Sequence, residues 1–146
     1  MKVRELSAIA ALLGMCAFAK MERPVKVKAF KAYRAIKEGA AVYDDAVKEA
    51  SEKFKPEGFD EMLRKVQGGA TVDEAKAFNE MSRKYNEDVD NATKALGDAV
   101  IEPKFEQLSE DEFFALVDSN EKLTAEQISR LENALCKHET KEIQKE

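Results

Sequence analysis

Few residues in this chain have the type and spacing that chemistry needs. Cys136-Lys137-His138-Glu139 brings a thiol, the sequence's one imidazole and a carboxylate within four positions. These are the donor types of a zinc site. Zinc normally takes several Cys or His ligands, and positions two apart on a helix point to different sides, so the segment reads as charged surface. Cys16 lies in an apolar stretch and reads as a small buried hydrophobe, whereas Cys136 is expected to be partly exposed. Neither belongs to a C-x-x-C pair, which leaves room for one disulfide but for no disulfide framework. Asp44-Asp45 and Asp88/Asp90 have the charge to hold a divalent ion weakly, yet the Gly and terminal Glu of a calcium loop are missing in register. They read as helix-surface acids. The sequence has no G-x-S-x-G, P-loop or G-x-G-x-x-G motif, and Gly68-Gly69 stand alone. Tyr33, Tyr43 and Tyr85 fall at helical packing positions. No catalytic, metal or cofactor-binding residue is assigned, and the expectation is a protein that is not an enzyme and needs no cofactor.

What remains is helix, and its patterning is strong. Ala29, Tyr33, Ile36, Ala40, Tyr43, Val47, Ala50 and Phe54 alternate at steps of four and three, a stripe that wants a partner helix nearly parallel to it. Phe78, Met81, Tyr85, Val89, Ala92, Leu96 and Ala99 repeat the pattern. The two stretches predict a long antiparallel hairpin over 24–99, with a tip helix at 57–67 carried by Phe59, Met62, Leu63 and Val66. Pro24 suits the first turn, Pro56 and Gly58 stop the first arm, and Gly39 in its middle suggests a close crossing. Thr71…Glu74, Ser109…Glu112 and Thr124…Gln127 are capping boxes that open three further helices.

An N-terminal helix is expected over 1–22, with Val3, Leu6, Ala10, Leu13 and Ala17 on one stripe. Met1-Lys2-Val3-Arg4 and Ala17-Phe18-Ala19 imitate a secretory leader, but Glu5 interrupts the basic start and the apolar run keeps helical order. The expectation is a buried helix of an intracellular chain. Residues 100–138 should hold an extended segment around Pro103 and two short helices, followed by a charged tail at 139–146. The fold class is therefore mainly α, and 146 residues suit one helical domain.

Charge is unevenly placed. Lys20, Arg23, Lys26, Lys28, Lys31, Arg34 and Lys37 meet only Glu22 between residues 20 and 37, while residues 98–121 hold eight acids against Lys104. The formal net charge of −5 opposes general binding to nucleic acid or anionic membrane, so the basic run reads as a solvated or self-paired face. Val27, Phe30 and Val42 lie off the packing stripe and are candidates for contact with a partner protein, or with a second copy in a homo-oligomer. Phe113 and Phe114 form an alternative anchor, because adjacent helical positions differ by about 100° and rarely bury equally.

With these residues laid out, the chain resembles a short protein family of unknown function found in tailed phages and prophages. The resemblance rests on Arg23-Pro24-Val25-Lys26-Val27-Lys28-Ala29-Phe30-Lys31 leading into a long Lys-rich helix, on Val100-Ile101-Glu102-Pro103-Lys104-Phe105, and on Leu123-Thr124-Ala125-Glu126 before a closing helix. Arg23 stands where the family tends to have Leu, and residues 55–69 depart most from its pattern. Helical packing stripes, the missing catalytic motifs and this resemblance together lead to the expectation of a non-enzymatic phage or prophage protein working through protein–protein contacts in virion assembly or as a structural accessory, located in the host cytoplasm or the virion. The alternative is an inhibitor of a host defence or nucleic-acid enzyme, with the acidic 98–121 segment imitating nucleic acid.

Overall fold

A computed structural model describes residues 1–136. His138, Glu139 and the tail lie outside the described residues. Six helices run in chain order: α1 (Val3–Gly14), α2 (Arg23–Lys53), α3 (Phe59–Gln67), α4 (Val72–Asp98), α5 (Glu110–Asp118) and α6 (Ala125–Leu135). No strand forms among the described residues; Lys2 with Val100 and Leu108 with Cys136 make isolated bridges. The fold is mainly α, and no described helix is long and apolar enough to cross a membrane.

Local chemistry sets the helix starts. Thr71, Ser109 and Thr124 accept from the backbone amides of Glu74, Glu112 and Gln127, and each of those side chains returns a bond to the cap amide. All three capping boxes form as the sequence predicts. α3 opens after Gly58, whose φ of 76° lies in the left-handed region that favours glycine.

The first helix is shorter than expected, ending at Gly14 and not near residue 22. The backbone N–H groups of Met15 and Cys16 close it by donating hydrogen bonds to the Leu12 and Leu13 carbonyls. Beyond this point a tertiary partner outcompetes helical continuation. The Asn120 side chain takes both backbone groups of Ala17, accepting from its N–H at 2.6 Å and donating to its carbonyl at 2.9 Å. The apolar stripe holds up to Leu13, with Val3, Leu6, Ile9, Ala10 and Leu13 all buried.

The described residues group into two compact units, one of residues 1–41 with 100–136 and one of residues 42–99. In the first, α1 and α5 both pack on α6, and Leu108, Phe113, Leu116, Leu131 and Leu135 have no solvent exposure. Ala29, Ala32, Ile36 and Ala40 bury the inward side of α2 in the same unit. Residues 101–107 form neither helix nor strand and lie between the bridges at Val100 and Leu108. The Leu108 amide donates to Leu135 and helps to place Cys136 in the interior, against the sequence expectation of partial exposure. Gly39 does mark an approach. A Cβ built there would lie 3.6 Å from Leu6 Cδ1, 3.9 Å from Ile101 Cγ2 and 4.0 Å from Pro103 Cβ. These are ordinary van der Waals distances, so Gly39→Ala is expected to raise stability by up to about 1 kcal/mol through helix propensity, read as a higher denaturant midpoint.

In the second unit α3 packs on α4. The Phe59 ring lies 5.3 Å from both Phe78 and Tyr85, tilted against the first and edge-on to the second, and the Tyr85 hydroxyl donates to the Ser51 carbonyl of α2. These contacts tie the end of α2, the tip helix and α4 together within this unit. The packing line of α4 departs from its 3.5-residue expectation after Val89. Ala92, Leu96 and Ala99 are exposed, and Thr93 and Gly97 are buried in their place. Steps of four from Tyr85 lead to those positions. Thr93 tolerates burial because its hydroxyl donates to the Val89 carbonyl at 2.8 Å, one turn back.

Candidate interaction surface

The outward face of α2 follows from its inward one. With Ala29, Ala32, Ile36 and Ala40 buried, a rotation of about 100° per residue puts Val27, Phe30, Lys31 and Arg34 on the opposite side. Val27 is 40% and Phe30 46% exposed. Phe30 lies 6.2 Å from the Tyr33 ring, the Arg34 guanidinium sits 5.9 Å above Phe30, and the Lys37 ammonium sits 5.7 Å above Tyr33. Two rings are thus bracketed by two cations, an arrangement in which the ring quadrupoles hold the charges in place. Such a face offers apolar area and positive charge together. A partner combining an apolar side chain with carboxylates fits it.

On its flank, Lys28, Lys31, Arg34, Lys104, Glu38 and Glu106 line a cleft of about 400 Å³ with Ala35 and Phe105. Lys28 is already engaged, at 2.7 Å from Glu112 and 3.6 Å from Glu106. The self-paired reading of the basic run therefore holds at Lys28. The Glu112 bond raises the Lys28 pKa, and the same bond, reinforced by the Ser109 backbone amide, lowers that of Glu112. Because Glu112 is held below its ordinary value of 4.5, its anion favours the folded state. That contribution is fully present above the ordinary value and is lost as pH falls through the lowered one. Glu112→Gln keeps the capping box and removes only the charge. Wild type is expected to melt higher than this variant at pH 7, and the gap to close in melts taken at progressively lower pH below 4.5.

Phe113 and Phe114 separate cleanly. Phe113 has no exposure and belongs to the core, so it is not available to a partner; Phe114 is 42% exposed and meets Phe113 edge-on at 5.6 Å. Glu110, Asp111 and Asp118 surround Phe114 on the helix surface and are all exposed. Val42, in the other unit, is 68% exposed, with Ala46 half-buried. Met15 at 83%, Val72 at 72% and Val100 at 69% are exposed apolar residues that sequence reasoning missed. Met15 is left outside by the early end of α1, and Val72 directly follows the Thr71 cap, a position whose exposure the capping box itself signals.

The thiols carry no activated chemistry. Burial raises the Cys16 pKa, and burial reinforced by Glu132 and Glu110 pushes Cys136 up to about 11. Both stay protonated at neutral pH and are weak nucleophiles. No cluster of three or more metal-ligating side chains occurs among the described residues. Comparison with protein-family models, curated proteins and solved structures finds no match to this chain.

Proposed function

We infer that this chain is a non-enzymatic phage or prophage protein that works by protein–protein contact, in virion assembly or as a structural accessory. The phage assignment rests on the sequence resemblance. The contact assignment rests on one observation: Val27 and Phe30 stand half-exposed on the outward arc of α2 beside Arg34. Half-exposed rings with fixed cations are the composition of interface centres, where aromatic and Arg side chains concentrate. The inhibitor reading draws less support, because Glu106 and Glu112 of the acidic segment engage Lys28 and Glu102 engages the Met1 ammonium.

The test is affinity capture of the tagged full-length protein from phage-infected cells, beside a Val27→Ser/Phe30→Ser variant. A capsid or tail protein enriched with wild type, and reduced at least about tenfold with the variant, supports the reading. Equal recovery with both forms overturns the assignment to this face. Enrichment of a host nuclease instead supports the inhibitor alternative.

A further inference from the structure

The first compact unit carries two exposed faces that match each other in shape of charge. On α2, Val27, Phe30, Lys31 and Arg34 fall within about 100° of arc, and all are exposed. On α5, Glu110, Asp111, Phe114 and Asp118 likewise span about 100° of arc, and all are exposed. Each face centres on one half-exposed phenyl ring, Phe30 at 46% and Phe114 at 42%. One ring is set among cations and the other among carboxylates.

These faces do not meet within one chain. α2 approaches α5 through Lys28, which reaches Glu112 at 2.7 Å. Lys28 sits about 120° round α2 from Arg34, and Glu112 about 160° round α5 from Phe114. The internal ion pair therefore uses other sides of both helices and leaves the two apolar centres in water.

We propose that the α2 face of one copy docks on the α5 face of a second copy, in a closed pair that makes this contact twice. This deepens the protein-contact reading and rests on it, naming the partner as the chain itself. Charge complementarity selects this occupant. A basic face alone would suit any anionic surface, but here the opposite sign and a matching ring are supplied by the same chain, whose net charge of −5 works against a polyanion. Contacts of this kind are small, and their electrostatic part is screened over about 10 Å at 0.1 M salt. The pair is expected to be reversible and salt-sensitive.

The experiment is a charge exchange read by sedimentation equilibrium at low salt. Lys31→Glu/Arg34→Glu gives a chain with two acidic faces, and Asp111→Lys/Asp118→Lys gives one with two basic faces. All four positions are exposed, so circular dichroism and melting should confirm that both variants fold. Each alone is expected to self-associate at least about tenfold more weakly than wild type, because like charges then face each other twice. An equimolar mixture should recover association, since both contacts of the mixed pair become attractive. A wild type that is monomeric at every concentration overturns the inference. So does either variant associating as tightly as wild type, or a mixture no better than its components. Binding of a monomeric wild type to phosphatidylglycerol vesicles through the α2 face would assign that face to lipid instead. A monomer that still captures a phage protein through Phe30 removes this inference and leaves the broader reading standing.

Discussion

Phe113→Ala is expected to cost about 3–5 kcal/mol, and Phe114→Ala under about 1 kcal/mol, although the two residues are adjacent and identical in type. Phe113 is fully buried, on an α5 that packs against α6, while Phe114 keeps 42% of its surface in water. Truncating the buried ring loses its transfer free energy and leaves a cavity that well-packed neighbours fill only in part. For a chain of this size the first substitution should lower the melting temperature by roughly 10–15 °C and the second by only a few degrees. Paired thermal melts check this. Similar losses at both positions would mean that α5 does not present Phe113 inward. The outcome also bears on function: Phe114→Ala should leave a folded protein in which the acidic face of α5 has lost its apolar centre, so any change in association can be read without a stability correction.

The contrast between these two residues shows how far sequence reading reaches. That one of them would bury better than the other follows from helical geometry; which one depends on where α5 meets α6. Capping boxes were fully legible at Thr71, Ser109 and Thr124, because side chain and backbone partner lie three residues apart and no tertiary contact is needed. The packing stripe of α2 was legible in part: Ala29, Ile36, Ala40 and Ala50 are buried where their spacing placed them, whereas Tyr33, Tyr43, Val47 and Phe54 are only half-buried. Long-range competition was not legible. Residues 15–22 have the apolar content of a helix, yet Ala17 gives both its backbone groups to Asn120, a partner 103 positions away. The second half of α4 misled in another way. Leu96 and Ala92 are more apolar than Thr93 and Gly97, and only the self-satisfied Thr93 hydroxyl lets the buried line pass through the latter pair. Of the candidate surface, Val27 and Phe30 could be found by their position off the stripe, whereas the bracketing of the rings by Arg34 and Lys37 depends on rotamers that periodicity does not specify.

Phe59→Ala should unfold the tip of the hairpin locally while the first unit keeps its amide protection. Of the buried apolar side chains among the described residues, only Ala50 falls within 42–99, and the rest belong to the first unit. No residue of α3 is buried, and a nine-residue helix is not stable on its own in water. What holds α3 is the Phe59 ring against Phe78 and Tyr85, with the exposed Lys55–Asp60 pair adding little. Losing a half-buried ring together with two aromatic contacts costs about 2–3 kcal/mol, which is large for a segment with so little burial of its own. Native-state hydrogen exchange resolves the effect: amides of α3 and the first half of α4 should exchange faster than those of α1 and α6 already in wild type. In the variant, protection in α3 should disappear with α1 and α6 unchanged. Uniform loss of protection throughout the chain would show instead that the two units unfold as one and that the tip shares the stability of the α1–α6 core. Local unfolding has a functional edge as well, because Val27, Phe30 and Phe114 all lie in the protected unit. Phe59→Ala is therefore expected to leave association through those faces at its wild-type strength.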